Sequence, residues 1–394
     1  MAGIVIIGAG ECGVRAAFTL REAGYKGEVT LIGEETHLPY ERPPLSKAAV
    51  PVPKPIAEEE RYAEASIELR RGVRIVRIDP EKRHVVAHGG GALSYDRLLI
   101  ATGARARVFP GMEAAWTLRS IEDAQAILAM LGPGRRLAVI GAGFIGLELA
   151  ATARGLGARV TVLEAAGRPM ARIVPAEIAA VFEARHRAEG VSFLFGAQVA
   201  EVGPDRLLLS DGRQIDADVV VAGVGAVPET RLAEDAGLAV DNGIVVNNRF
   251  LTTDPHIFAA GDCCSFPFRG TRVRLESWRA SQDQGAHAAR AMLGTQDAYL
   301  RTPWFWSDQY DLGLQVAGLP NPAGSFTRRN LAGGAFVLFQ TDEDERLSSA
   351  SGVGLGNAVA RHISIAEKLI EREVPVPSGA LSDPEVNLKR FLRG

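Results

Sequence analysis

The sequence of 394 residues predicts an α/β fold with two similar three-layer domains, followed by a C-terminal α+β domain. Three observations predict this fold: a repeated strand–glycine turn–helix motif, a later buried strand, and a change of composition near residue 302. At about 150 residues per domain, the length allows two or three domains. The 47% hydrophobic and 23% charged residues are typical of a globular protein rather than a disordered one.

The repeated motif reads IVIIGAGECG at residues 4–13 and LAVIGAGFIG at residues 137–146. Each copy is a short apolar run that enters G-x-G-x-x-G and continues into an Ala- and Leu-rich helical stretch. Strands are predicted next at Val29–Ile32 and Val160–Leu163. In such a βαβ motif the first glycine permits a tight turn, the second lets backbone approach a pyrophosphate, and the third lets helix and strand pack closely. Two copies predict two Rossmann-like dinucleotide-binding domains. The glycines are Gly8, Gly10 and Gly13 in the first motif and Gly141, Gly143 and Gly146 in the second.

Acidic residues follow the second strand of each motif, where an adenosine ribose is expected. Glu164 ends this strand in the second motif, and a carboxylate there accepts hydrogen bonds from ribose hydroxyls and repels a 2′-phosphate. It predicts NAD rather than NADP, although Arg168 and Arg172 lie close enough to keep NADP as an alternative. In the first motif Glu34 and Glu35 both follow the strand, and the spacing does not choose between them.

Two dinucleotide sites predict a bound FAD and an exchangeable NADH, because hydride passes between a flavin and a nicotinamide. The acceptor is predicted from what the chain lacks. Residues 36–55, where related oxidases and peroxidases carry a reactive cysteine, contain none, and the seven histidines are scattered without metal-ligand spacing. Without a thiol relay, iron–sulfur cluster or zinc site in this chain, electrons must leave the flavin for an external one-electron acceptor.

Charge and cysteine content exclude other classes of protein. The net charge of −3 predicts no nucleic-acid or membrane partner. Apolar runs are far shorter than the ~20 residues needed to span a bilayer, and no basic targeting region precedes the first one. Three cysteines without framework spacing, Cys12, Cys263 and Cys264, fit a reducing cytoplasm.

Turn signals suggest that the second dinucleotide-binding domain is inserted into the first. Pro110-Gly111 and Asp241-Asn242-Gly243 flank the second motif, and the apolar run 254–262 is predicted to be a buried strand of the first domain. The predicted FAD-binding domain comprises 1–108 and 242–301, the NAD-binding domain 109–241, and the C-terminal domain 302–394. Within the last, strands are predicted at Leu312–Ala317 and Ala335–Phe339 and a helix near 358–372.

Five segments resemble the FAD-dependent NADH:ferredoxin reductases that serve bacterial cytochrome P450 and Rieske dioxygenase systems. The resemblance covers nearly the whole chain in the right order, and its last segment is the most specific to this family. It implies a glutathione-reductase-like architecture, an acceptor that is a [2Fe–2S] ferredoxin supplying a P450 or dioxygenase, and a monomer or weak homodimer. The segments are PYERPPLSK (39–47), ATG (101–103), GAGFIGLELA (141–150), AAGD (259–262) and PWFWSDQYD (303–311).

The resemblance also implies roles for individual residues. Lys47 and Glu148 are expected to meet beside flavin N5, where the lysine stabilises developing negative charge and the glutamate orients it; the alternative is a structural interdomain ion pair. Asp262 is expected to bind the ribityl or pyrophosphate region, and Glu34 matches the ribose position better than Glu35. Core packing is the alternative for the two tryptophans that follow. Further cofactor-binding positions are Cys12, Arg42, Ile75, Thr102, Gly103, Arg119, Gly261, Trp278 and Trp306 for FAD, and Ile145, Arg172 and Gly225 for NAD.

Two alternative functions stay open at this point. An NADH oxidase is disfavoured by the missing cysteine. A redox-sensing flavoprotein that acts as an interaction protein is disfavoured because the sequence predicts neither a basic nucleic-acid surface nor a targeting segment. Because ferredoxins are usually acidic, the docking face is expected to be locally basic. For any one of the candidate arginines, the alternative is an ordinary solvated side chain with no docking role. The candidates are Arg269, Arg272, Arg279, Arg301, Arg328 and Arg329.

Overall fold

The computed structural model describes residues 3–393, and it divides the chain into two compact units. Unit 1 comprises the residues up to Arg42 together with Val52–Arg105 and Ala226–Arg301. Unit 2 comprises Pro43–Pro51, Ala106–Gly225 and the residues from Thr302 onward. Each unit therefore contains one of the two glycine motifs.

The described residues form the following elements. The strands are β1 Gly3–Ile7, β2 Val29–Ile32, β3 Glu68–Arg70, β4 Ile75–Asp79, β5 His84–Ala87, β6 Ala92–Ile100, β7 Ala104–Ala106, β8 Arg136–Ile140, β9 Arg159–Glu164, β10 Ser192–Phe195, β11 Val199–Val202, β12 Arg206–Leu209, β13 Gln214–Asp216, β14 Val219–Ala222, β15 Ala226–Pro228, β16 Ile244–Val245, β17 Ile257–Ala259, β18 Cys264–Phe268, β19 Thr271–Val273, β20 Trp304–Gln309, β21 Leu312–Gly318, β22 Thr327–Asn330, β23 Phe336–Thr341 and β24 Leu347–Leu355. The α-helices are α1 Glu11–Glu22, α2 Glu59–Glu64, α3 Ile121–Ala129, α4 Phe144–Gly155, α5 Ala176–Ala188, α6 Arg231–Asp235, α7 Trp278–Met292, α8 Ala360–Glu371 and α9 Ser378–Ser382. Short 3₁₀ helices span Pro43–Ser46, Ala332–Gly334 and Leu388–Arg393.

Unit 1 is built on a sheet with the strand order β3-β2-β1-β6-β5-β4, in which β17 also pairs with β6. The strands β3, β2, β1, β6 and β17 run parallel, and β5 and β4 extend the sheet in antiparallel pairs. β1 is buried along its whole length, with α1 packed on β1 and β2, and α7 packed on α1 and β17. The prediction that the 254–262 run joins the first motif is confirmed, since Ile257 pairs with Leu98.

Unit 2 contains a parallel sheet of order β10-β9-β8-β14, which carries the second glycine motif. Its C-terminal part is a five-stranded antiparallel sheet of order β20-β21-β24-β23-β22. The amphipathic helix α8 packs on this sheet, burying Ile363 and Leu369 against Val337 and Phe339. The predicted strands near 312 and 335 and the helix near 358–372 are therefore present.

Residues 226–241 pack with unit 1 rather than with the second glycine motif. Ala233 and Leu238 are buried in the core of unit 1, with Leu232 and Ala236 packed against it. These apolar side chains give α6 a face that the unit 1 core buries. The division into three functional domains at 109, 242 and 302 stays a prediction.

No helix within residues 3–393 combines the length and the apolar composition that crossing a bilayer requires.

Candidate functional site

The first glycine turn joins β1 to α1 and shows what each of its glycines does. Gly8 has φ +109°, and a Cβ there would overlap the carbonyl oxygen of Ala101. A Cβ at Gly13 would overlap the carbonyl oxygen of Gly8, so α1 can approach the strand only without one. By contrast, a Cβ at Gly10 would meet no atom within 4 Å. The backbone at Gly10 therefore faces open space at the N-terminus of a helix, where a pyrophosphate fits.

The second turn, between β8 and α4, repeats this division of roles. Gly141 has φ +100° and lies against the Gly223 carbonyl, and Gly146 lies against the Gly141 carbonyl. Gly143 has no atom within 4 Å of an added Cβ, and it is the N-cap of α4. Both turns thus leave room at the middle glycine, and both fit a dinucleotide.

Glu164 is fixed beside the second turn rather than solvated at a strand end. Its Oε2 accepts the Ala142 N–H at 2.8 Å and its Oε1 accepts the Ala166 N–H at 2.8 Å. Each carboxylate oxygen keeps a second lone pair that a ribose hydroxyl can use. Glu164 therefore has both a structural contact and remaining acceptor capacity.

The two arginines that left NADP open differ in their surroundings. Arg168 donates to the carbonyls of Pro169, Ala171 and Val174. Burial lowers the pKa of Arg168. Arg172 is exposed. The Arg168 guanidinium is therefore engaged by backbone oxygens instead of presenting its N–H groups to a phosphate.

The acidic pair of the first motif separates clearly in the structure. Glu35 is held by the Tyr40 hydroxyl and by Arg42, each at 2.6 Å from a different carboxylate oxygen. The Glu34 side chain is 69% exposed, with an oxygen 3.6 Å from Arg74 Nε. Glu34 is thus the more available carboxylate for a ribose, in line with the predicted preference, and Arg42 reaches this region through Glu35.

Asp262 and Gly261 follow β17, at the same sheet edge as the first glycine turn. The Asp262 Oδ1 accepts a hydrogen bond from Ser281 Oγ on α7 at 3.2 Å. The Gly261 N–H donates to Gln284 Oε1 at 2.8 Å, and Gln284 is fully buried. Sequence reasoning missed Gln284, because a lone glutamine in an Ala-rich helix carries no motif signal.

The three cysteines lie in the core of unit 1 near this edge. Cys12, Cys263 and Cys264 are free and buried. Burial raises the pKa of each thiol. Because the thiolate is the reactive form, all three are weak nucleophiles. Cys12 Sγ is also close to Gly261, at 3.3 Å from where its Cβ would be.

The ATG segment directly follows β6, beside the same turn. Thr102 Oγ1 donates to the Glu229 carbonyl at 2.7 Å, and Gly103 O accepts the Glu229 N–H at 2.9 Å. Gly103 has φ +72°, a conformation that favours glycine. Carboxyl ends of parallel strands meet at one edge of a sheet, which is why these distant segments converge.

The remaining cofactor-binding candidates lie more singly. Ile75 begins β4, the edge strand at the opposite end of the sheet from β3 and β2. Trp278 begins α7, whose N-cap Ser277 accepts the Ala280 N–H. In unit 2, the Arg119 N–H donates to Asp123 just before α3. Ile145 and Gly225 lie in the first turn of α4 and after β14 respectively.

Lys47 and Glu148 form a direct ion pair within unit 2, with Nζ 2.9 Å from Oε2. Glu148 is on α4 and its side chain is only 6% exposed, whereas that of Lys47 is 27% exposed. Two hydroxyls also donate to the carboxylate: Ser46 Oγ at 2.5 Å and Ser307 Oγ at 2.6 Å. These three donors offset the cost of burying the charge. The Lys47 ammonium is therefore held by a nearly buried carboxylate and is itself partly exposed.

Trp306 lies beside the Lys47 ammonium. The Lys47 Nζ lies 5.8 Å from the centre of a Trp306 ring, within cation–π range. Trp306 stacks on Trp304 and donates its Nε1–H to Asp308 at 3.0 Å. Sequence reasoning named Lys47, Glu148 and Trp306 but missed Ser46 and Ser307, which lie inside the segments that carried the resemblance.

The prediction that Arg329 belongs to the docking face was wrong. Arg329 is 2% exposed, so it cannot contribute charge to a surface. It faces inward from β22 and donates to four carbonyls of the C-terminal segment, those of Ala380, Leu381, Pro384 and Val386. This burial could not be predicted, because in a sequence an arginine that backbone carbonyls satisfy is indistinguishable from a solvated arginine.

The other docking arginines are partly engaged. Arg328 pairs with Glu177 and lies 3.7 Å from the Phe336 ring centre. Arg272 is exposed and donates to the carbonyls of Val246 and Ser265. Arg269 and Arg301 are exposed, and Arg279 is half-buried on α7.

Two open glycine turns on parallel sheets, one in each unit, define the class of protein: an oxidoreductase that binds two dinucleotides. The family model described as "Pyridine nucleotide-disulphide oxidoreductase" matches residues 2–285, and a second, "Reductase C-terminal", matches residues 304–392. The chain belongs to the pyridine nucleotide-disulphide oxidoreductase family, whose members bind FAD and NAD(H). The predicted fold class and family resemblance are confirmed.

Similar proteins cover almost the entire chain. The anthranilate 1,2-dioxygenase system ferredoxin–NAD(+) reductase component of Burkholderia cepacia is 40% identical, over 98% of both chains. Putidaredoxin reductase of Pseudomonas putida is 36% identical, over 99% of this chain and 96% of its own. The solved covalent putidaredoxin reductase–putidaredoxin complex matches with a TM-score of 0.93 at 35% identity, covering 100% of this chain and 98% of that one. The ferredoxin reductase for the CYP199A2 system of Rhodopseudomonas palustris also has a TM-score of 0.93, at 36% identity and 99% coverage of each chain.

Proposed function

We propose that this protein is an NADH:ferredoxin reductase, which delivers electrons singly to a [2Fe–2S] ferredoxin that supplies a cytochrome P450 or Rieske oxygenase. The observation that carries the proposal is the presence of two open glycine turns, at Gly10 and Gly143, in a chain whose three cysteines are all free and buried. Such a chain has two dinucleotide sites and no reactive thiol to take electrons from either. The relatives support the acceptor, because they are reductase components of dioxygenase and P450 systems.

The chain's own residues divide the work. When bound, FAD would supply the redox chemistry, because a flavin can accept a hydride from a reduced nicotinamide and release electrons singly. The N-terminal N–H groups of α1 and α4 would hold the two pyrophosphates, with Gly10 and Gly143 permitting close approach. Asp262 and Glu34 would bind the sugar portions of FAD. Lys47, oriented by Glu148, would place a positive charge where negative charge develops.

The cofactor preference we propose is NADH over NADPH. Glu164 supports it, because its carboxylate lies at the end of β9 with acceptor capacity left for ribose hydroxyls and would repel a 2′-phosphate. The engagement of Arg168 by three carbonyls supports it further. The measurement is kcat/KM for each nucleotide: a clear excess for NADH is expected, and equal values would refute the ribose argument.

The free, buried cysteines also support a bacterial cytoplasmic location.

The proposed activity is tested with the holoenzyme by NADH-dependent cytochrome c reduction, with and without an added [2Fe–2S] ferredoxin. Superoxide dismutase is present in both arms to remove reduction by superoxide. Strong dependence on ferredoxin is expected. Rapid NADH-dependent O₂ consumption, with no stimulation by ferredoxin, would instead identify an NADH oxidase.

The role of Lys47 has a separate test. Lys47→Ala should slow flavin bleaching by saturating NADH in stopped-flow by at least tenfold, because it removes the positive charge from the place where negative charge develops. A tenfold loss of rate corresponds to about 1.4 kcal/mol of lost transition-state stabilisation. Lys54→Ala is the matched control, since Lys54 pairs with Glu41 at 3.0 Å on the surface. Equal bleaching rates in parent and Lys47→Ala would make the Lys47–Glu148 pair purely structural.

A further inference from the structure

A chain of buried polar side chains extends from Glu148 away from Lys47, within unit 2. Ser307, which donates to Glu148 Oε1 at 2.6 Å, is contacted by Gln309 Nε2 at 3.1 Å. Gln309 Oε1 lies 2.8 Å from His186 Nε2. His186 Nδ1 lies 3.2 Å from the Tyr310 hydroxyl. Ser307 and His186 are fully buried and Gln309 is 1% exposed, so only the tyrosine end approaches the surface.

The directions of the hydrogen bonds from Glu148 to His186 Nε2 follow from the first member, and the last bond follows when His186 is neutral. An ionised carboxylate only accepts, so Ser307 must donate to it, and the Ser307 oxygen is then free to accept from the Gln309 amide nitrogen. The Gln309 oxygen must accept in turn, which places a proton on His186 Nε2. Nδ1 is left as the acceptor for Tyr310. All donors therefore point toward Glu148, and bonds arranged in one direction polarise and strengthen one another.

The far end of the chain is held in place by its own contacts. Tyr310 adopts φ +56°, a left-handed conformation that is costly for a tyrosine. Its ring lies 4.7 Å below the Arg185 guanidinium, and Arg185 pairs with Asp311 and with Glu189. The strained residue is thus fixed from both sides with its hydroxyl on His186.

His186 is neutral in this setting. Burial lowers the pKa of His186, and the neighbouring Arg185 acts in the same direction, while Gln309 and Glu189 oppose them. In a neutral imidazole with its proton on Nε2, Nδ1 is the acceptor that the Tyr310 hydroxyl meets.

We infer that Gln309 and His186 are positioning residues, which fix the Ser307 hydroxyl on Glu148 and so hold the Lys47 ammonium in one place. The inference rests on the proposed role of Lys47 and Glu148. Because an amide is one of the links, the chain orients groups rather than conducting protons. Neither residue touches the cofactor sites that the glycine turns define, and both act through the carboxylate.

The first test observes the chain directly in the holoenzyme by ¹⁵N NMR with labelled histidine. His186 should be a neutral Nε2–H tautomer at pH 7, its signals being assigned by their loss in His186→Gln. Glu148→Gln, which removes the charge at the other end, should shift the His186 Nε2 signal and leave His287 of unit 1 unmoved. An imidazolium, an Nδ1–H tautomer, or no response to Glu148→Gln would overturn the inference.

The second test separates positioning from a merely structural role by comparing the rate of flavin reduction with the KM for NADH. Gln309→Leu removes the amide that holds the Ser307 hydroxyl, so Ser307 is fixed less firmly on Glu148 and Lys47 is placed less firmly. Flavin reduction at saturating NADH should then slow about tenfold, while the KM for NADH stays within about twofold of the parent value. His186→Gln, whose amide can replace the Nε2–H donor, should slow flavin reduction much less than Gln309→Leu does.

A control and the failing outcomes complete this test. Ser351→Ala removes a fully buried hydroxyl outside this hydrogen-bond chain and should leave the reduction rate unchanged. A reduction rate in Gln309→Leu equal to the parent's, or a loss confined to the KM for NADH, would contradict the inference. If Gln309→Leu does not fold, the NMR response to Glu148→Gln decides. Failure of the proposed function is seen separately, as a parent enzyme that does not reduce ferredoxin.

Discussion

The two glycine turns are alike in their glycines and different in their acids. In both, the first and third glycines are required by backbone packing and the middle one faces open space. In unit 2 the acid, Glu164, bonds to two N–H groups of its own turn region. In unit 1, Glu35 is occupied by Tyr40 and Arg42, and its neighbour Glu34 makes only a loose contact with Arg74.

One sequence motif can therefore distribute folding and binding over different residues. The glycine roles are fixed by steric overlap with backbone, which is the same wherever the βαβ motif occurs. The acid is less constrained, because a carboxylate can stabilise the turn, bind the ribose or do both. Substitutions at matched positions of the two turns should therefore agree for glycines and disagree for acids.

The largest effect is expected at the first glycine of either turn. Gly8→Ala combines a disfavoured φ with overlap of the Ala101 carbonyl, so it should lower the free energy of unfolding by about 3 kcal/mol or more. Gly141→Ala should do the same through the Gly223 carbonyl. Gly24→Ala is the matched control, since Gly24 also has positive φ but no atom near its Cβ, and should cost only about 1 kcal/mol. Equal losses at Gly8 and Gly24 in denaturant titrations would remove the steric argument.

The acids should break the symmetry. Glu164→Ala leaves the Ala142 and Ala166 N–H groups without their acceptor, which should cost about 1–3 kcal/mol and raise KM for NADH while FAD content is unchanged. Glu34→Ala should change stability by no more than about 0.5 kcal/mol and weaken FAD retention instead. Denaturant midpoints and the flavin-to-protein ratio are the measurements. Similar stability losses in the two variants would show that the acids have equivalent roles.

Much of the fold could be predicted because its signals are local. The glycine turns, the strands after them and the amphipathic α8 are set by spacing over a few residues. The return of β17 to the first sheet could be predicted as well, since a buried run ending in Gly261-Asp262 is typical of a strand that completes a dinucleotide site. The position of residues 226–241 could not, because only the packing of α6 decides which core it joins.

The candidate site was predicted less completely than the fold. Lys47 and Glu148 came from the resemblance, and their contact is now seen at 2.9 Å. His186 and Gln309 were missed because 123 residues separate them and neither belongs to a spaced motif. Arg329 was misjudged because charge predicts exposure only on average, and four backbone carbonyls can replace water around a guanidinium.

The smallest expected effect is on the pH dependence of stability, and it is measured at one histidine of each unit. Burial lowers the pKa of both His186 and His287 below the usual 6.5. Below that value the unfolded chain binds the proton and the folded protein does not, so stability should fall as pH is lowered from about 7.5 to 5.5. His186→Gln should make this fall shallower than in the parent, and His287→Gln should do so less, because His287 is only half-buried. Thermal midpoints at several pH values measure it. Taking each variant's difference from the parent removes the opposing contribution of Glu11, whose pKa is raised by burial. A slope unchanged in His186→Gln would mean that folding does not lower the pKa of this imidazole.

Substitutions of the middle glycines test whether the two turns hold two different dinucleotides. Gly10→Ala and Gly143→Ala have space for a Cβ, so both variants should fold with the parent's thermal midpoint. Gly10→Ala should emerge from gel filtration depleted of FAD. Gly143→Ala should keep a full complement of FAD that dithionite bleaches at once and NADH bleaches only slowly. If either substitution impairs both ligands equally, or if Gly143→Ala is bleached by NADH as fast as the parent, the assignment of one dinucleotide to each turn is wrong.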